Sequence, residues 1–114
     1  MRKLFTTREV LKGRLVTLYE DTWMEHVTLD HPEVASYLED VQRTIESPNI
    51  VYRSGVRPDS EISITMGDHG QYPSAFLSVA VLYEKSTEGI VRTAHFARKI
   101  EDLNVGKLLY LKRT

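Results

Sequence analysis

Val34, Leu38, Val41 and Ile45 recur at spacings of 4, 3 and 4, the clearest helical stripe in the chain. They predict a helix from Glu33 to about Glu46, closed by Ser47-Pro48-Asn49. Upstream, Trp23 and Val27 share a face at i, i+4 with His26 beside them, which predicts a shorter helix over Trp23–Leu29. Thr22 with Glu25, and Asp30 with Glu33, have the spacing of capping boxes, and Pro32 suits a first helical turn. Gly13–Tyr19 reads as a short strand or an extended lead-in.

Beyond Pro48 the period shortens to two. Ile62, Ile64 and Met66 alternate with Glu61, Ser63 and Thr65, as in a strand buried on one side. Ile50–Arg53 is a shorter strand, and residues 67–74 read as a loop broken by Gly67 and Gly70. Ala75–Tyr83 is apolar on both faces at its middle, the texture of a central strand. A turn leads to Ile90–Ala97, its antiparallel partner, and Gly106–Arg113 reads as an edge strand blunted by basic residues. The expectation is one α+β domain over residues 1–114, with two N-terminal helices packed on a small antiparallel sheet.

Composition narrows the chemistry. With no cysteine, thiolate nucleophiles, disulfides and cysteine zinc sites are excluded. A net charge of −1 means that any phosphate site must be a local cluster of Lys and Arg. No apolar run approaches the roughly 20 residues of a membrane span, and the N-terminus lacks the apolar stretch of a secretory signal. A cytoplasmic protein that does not engage membranes is the default expectation. His26 and His31, five residues apart, would point about 140° apart on a continuous helix, so they do not make a metal pair. No metal and no cofactor are assigned.

Several short motifs occur in a particular order. They are Trp23, His26 and Val27; His31, Pro32 and Glu33; Thr44, Ile45 and Pro48; and Val91, Thr93 and Ala94. In this order, across roughly Leu4 to Phe96, the chain resembles the phage-associated branch of the barnase, EndoU, colicin and RelE-like nuclease superfamily. The resemblance implies a curved sheet and metal-independent cleavage of RNA, in a toxin-like or mobile-element setting. RNA, and an immunity or antitoxin protein, are the partners it implies. The sequence departs from the pattern on the strand before the central one. Relatives often carry an aromatic-aromatic-basic step there, and residues 61–76 carry none.

Such cleavage needs a base for the ribose 2′-OH, an acid for the leaving 5′-oxygen, and donors for the charge on phosphorus. Histidine can serve the first two near neutral pH, and arginine matches phosphate oxygens. His26, Thr93 and His95 are therefore the catalytic candidates, with Arg53, Arg92 and Trp23 as substrate-binding candidates. Thr93 and His95 share one face of their strand, while Arg92, Ala94 and Phe96 share the other. His31 is assigned to the helix junction, and Ala97-Arg98-Lys99 with Lys85 to a small basic rim. His69 reads as exposed, and Tyr52, Tyr72 and Tyr83 as core or edge residues that could also stack on bases. The plainer alternatives are a half-buried His26 bonded to a carbonyl, and a non-catalytic RNA- or protein-binding module on the same scaffold.

Overall fold

The computed structural model describes residues 1–66 and 75–113. The predicted loop at 67–74, with His69 and Tyr72, lies outside the described residues. A seven-stranded sheet dominates, in the order β1-β2-β6-β5-β4-β3-β7. Its strands are β1 (Lys3–Arg8), β2 (Leu15–Tyr19), β3 (Ile50–Ser54), β4 (Ser60–Thr65), β5 (Phe76–Lys85), β6 (Glu88–Ala97) and β7 (Val105–Leu111).

This corrects the expectation of two N-terminal helices on a small antiparallel sheet. The chain opens with a β-hairpin, the sheet is large, and it is mixed because β2 runs parallel to β6. Strand β1 escaped the period-two reading because a bulge between Lys3 and Phe5 breaks its alternation. Neighbours Leu4 and Phe5 thereby both pack on the same core. The remaining strands fall close to their predicted positions. Strand β5 is fourth of the seven, β6 pairs antiparallel beside it, and β7 is an edge.

The helices are short. Residues 20–30 form one helical run (α1), α-helical at Glu20–Thr22 and Thr28–Asp30 and π-helical at Trp23–Val27. Trp23 and Val27, four apart, share one face of this run, and both are buried. A 3-10 turn at Pro32–Val34 precedes the second helix, α2 (Leu38–Glu46). The two capping boxes do not form. The runs begin after Tyr19 and Tyr37, and neither has a side-chain cap. Pro32 instead opens the 3-10 turn, where its missing N–H costs nothing. Val34, Val41 and Ile45 are buried as predicted, and Leu38 packs at the rim of the same core.

Both sheet faces carry a core. On one, α1 and α2 cover Val16, Leu18, Leu77, Val79, Val81, Val91 and Ala94. On the other, a 3-10 turn at Ile100–Leu103 and strand β7 close over Ile62, Ile64 and Phe76. Asn49 fastens the sheet at the start of β3. Its N–H donates to Ile64, its carbonyl accepts from Lys112, and its side chain accepts from Met66 N–H. Among the described residues, no helix is long and apolar enough to cross a membrane.

A buried charge cluster ties the β1–β2 loop to the far side of the domain. Arg14 donates to Glu9 at 3.1 Å and to Glu61 at 2.8 Å, and its guanidinium lies 3.7 Å from the centre of the Tyr83 ring. Gly89 lies under that ring, where a Cβ would meet Tyr83 carbon at 2.6 Å. Burial pushes the Tyr83 phenol up, so it stays neutral beside the pair of carboxylates. Removing only the cation would leave buried Glu9 and half-buried Glu61 without their guanidinium partner. Arg14→Ala is therefore expected to lower stability by about 3–5 kcal/mol in urea unfolding. Ile45→Ala, a pure cavity change in the helix-side core, is expected to cost about 2–5 kcal/mol.

Candidate functional site

Strand β6 builds the site. Residues 88–90 pair with β2, and beyond Ile90 no strand among the described residues lies on that side. Against the free stretch pack α1 and the turn at Pro32–Val34. Arg92 is an extra residue in β6, because Val91 pairs with Val81 and Thr93 already pairs with Ala80. The bulge resets the alternation, so Val91 and Ala94 both face the helix-side core. This corrects the strict alternation read from sequence only upstream of Thr93. Thr93, His95 and Ala97 follow one another on the opposite face.

His95 meets His31. The two imidazoles stack with centroids 4.9 Å apart and planes 23° from parallel. Glu33 approaches from the same turn, its Oε1 3.6 Å from His31 Nδ1. The approach angle of α1 is held by Trp23 and Val27 in the core, and Tyr37 packs edge-on against Phe96 on the next residue of β6. A cavity of about 480 Å³ opens on His95, with Glu33, Arg98 and Asp102 around it.

The environment of His95 favours its neutral form. Burial lowers its pKa below the ordinary histidine value, the proximity of His31 lowers it further, and Glu33 partly offsets both. Its Nδ1 is buried with no hydrogen-bond partner among the described residues. Protonating the ring would fix an unpaired N–H at the buried Nδ1, a further cost. A neutral imidazole beside a second one, with an arginine on the rim of the same cavity, can move protons for a phosphate or carbonyl substrate.

The other sequence candidates fall elsewhere. His26 is exposed on α1, and among the described residues neither a hydrogen bond nor an ion pair or ring contact engages it. Trp23 is 6% exposed and works as an anchor, with no open face for a base. Arg53 lies in the cross-strand row Arg53–Glu61–Val81–Val91, whereas His95 lies in the row Ile50–Ile64–Ser78–His95. Three strand spacings alone separate them by about 14 Å. Arg92 is exposed at the bulge, one residue from half-buried Thr93.

Much of the motif pattern turns out to be core. Val27, Ile45, Val91 and Ala94 are buried. Thr44 is also buried, donating to the Asp40 carbonyl at 2.7 Å and sharing a 2.7 Å bond with the Thr65 hydroxyl. Sequence reasoning missed His31 and Glu33 as site residues. The available signal was their position at a helix break, where a side chain is free of helical direction. Among the described residues, no group of three His, Asp or Glu side chains could hold a metal ion. No family model, curated protein or solved structure matches this chain.

The lowered His95 pKa fixes a sign. Below about 6.5, the ordinary histidine value, the unfolded chain takes up this proton before the folded one does. This contribution to stability is therefore intact above that pH and is lost as the pH falls through the folded-state pKa. Histidine NMR titration is expected to show His95 titrating below the ordinary histidine value. His31→Gln should move its midpoint upward.

Proposed function

We propose that this domain is a metal-independent ribonuclease of the acid–base type, with His31 and His95 as its working pair. The observation that carries the reading is the stacked contact of the two rings beside a cavity rimmed by Arg98. The resemblance to the nuclease superfamily points the same way, since His31 and Glu33 belong to its His-Pro-Glu motif.

In this reading His95, held neutral, takes the proton from the 2′-OH. The freed oxygen attacks phosphorus, and the bond to the 5′-oxygen breaks. Protonated His31, oriented by Glu33, gives its proton to that leaving oxygen. The products are a 2′,3′-cyclic phosphate and a 5′-hydroxyl end. Arg98 takes the charge on the phosphoryl oxygens. Thr93, on the face of His95, is within the substrate's path.

The net charge of −1 and the lack of any Lys or Arg on β4 favour a second reading, a non-catalytic RNA- or protein-binding module. Incubation of purified protein with total RNA in chelator separates the two. Wild type is expected to cleave, and His31→Ala and His95→Ala to lose roughly 100-fold or more, the usual worth of a general acid or base. His26→Ala should cleave as wild type does. An inactive wild type would leave the binding module, and full activity in both His31→Ala and His95→Ala would overturn the assignment of the histidine pair.

A further inference from the structure

A second concavity lies on the same face of the sheet as His95. It holds about 320 Å³, at the lower end of the size of small-ligand sites. Leu15, Thr17, Tyr19, Leu82 and Ile90 all line it. In β2, Val16 and Leu18 turn into the helix-side core, so Thr17 and Tyr19 point the other way. In β6, Ile90 pairs with Leu82, and the next rows on that face are Ala80–Thr93 and Ser78–His95. Ile90 is 40% exposed, and Thr93 and Ala80 are half-buried. Thr93 and Ala80 thus lie between the two cavities on this face, and a strand laid along this trough from one to the other would cross Thr93. Ile90 and His95 are roughly 15 Å apart along the strand, the reach of a few nucleotides of extended single strand.

The chemistry of the far end is specific in kind. The floor is apolar, Tyr19 supplies an aromatic ring at the side, and the Thr6 and Thr17 hydroxyls meet at 3.0 Å. Lys3 and Lys85 stand at the rim, each a point charge suited to one phosphate. Glu84 and Glu88 share that rim and would oppose the dense phosphate array of a duplex. We infer that this cavity is a subsite for one unpaired nucleotide of single-stranded RNA, whose strand continues through Thr93 to the histidine pair. The base lies on the floor against Tyr19, and its flanking phosphates take Lys3 and Lys85. The inference rests on the ribonuclease reading only for the position of the scissile bond.

The test separates binding from cleavage. The probe is a fluorescein-labelled 2′-O-methyl decaribonucleotide, which lacks the nucleophilic hydroxyl, followed by anisotropy over a range of salt. Wild type should bind it as a single strand and bind its duplex at least tenfold more weakly. In the double variant Lys3→Gln/Lys85→Gln, the slope of log affinity against log salt should fall by about 1.4, the share of two single-strand phosphates at about 0.7 each. Tyr19→Ala should weaken binding about tenfold, within the usual worth of one stacked base. Binding by a wild type that cleaves no RNA would remove the enzyme reading and leave the subsite standing. An unchanged salt slope in the double variant would overturn the subsite, as would a preference for the duplex. Failure of wild type to bind any oligonucleotide would also overturn it, and would leave the trough to a protein partner.

Discussion

A ten-residue strand paired over only three residues on one side is the constraint on which this domain turns. Strand β6 runs from Glu88 to Ala97, yet β2 pairs with it only at residues 88–90. Past that point one edge of a central strand has no β partner among the described residues, and a bare edge invites both unpaired backbone and unwanted association. The chain leaves β2 at Tyr19 and turns at once into α1, so the helical run lies where the missing strand would be. That substitution carries Trp23 and Val27 into the core and brings the turn at His31 to Glu33 up to His95. The histidine pair is therefore a consequence of how the edge is closed.

Two local irregularities tune the result. Trp23 and Val27, at the two ends of the π turn, both face inward, which sets how α1 rests on the sheet. The bulge at Arg92 lets Val91 and Ala94 both fill the helix-side core. Such departures from ideal geometry often gather at functional sites. Here both flank the contact of His31 with His95.

The two sheet faces divide the labour. The helix-side face is continuous core, sealed at one end by Arg14 between Glu9 and Glu61. The other face is covered by the Ile100–Leu103 turn and β7 only over β3 and β4, with Phe76 and Ala97 at the border. Over β1, β2 and the start of β6 no described residue joins that second core, and the concavity lined by Leu15, Thr17, Leu82 and Ile90 lies there. A protein with a net charge of −1 can still meet an anion there, because Lys3, Lys85 and Arg98 stand at the rims of its two cavities.

The sequence by itself determined the elements whose burial is periodic. The stripe from Val34 to Ile45 marked the helix-side core, and the apolar run at Ala75–Tyr83 marked the central strand. The partner strand at Ile90–Ala97 followed, because hairpin neighbours are close in sequence. The sheet's size, the parallel β2–β6 pairing and the opening hairpin were decided only by the tertiary structure. Strand β1 hides its period behind a bulge, and a three-residue parallel contact leaves no local mark. The site divides the same way. His95 was legible from its strand and face. His31 was read as a junction residue because nothing in its neighbourhood names a partner 64 positions away. Only the packing of α1 along the free edge of β6 brings the two rings together.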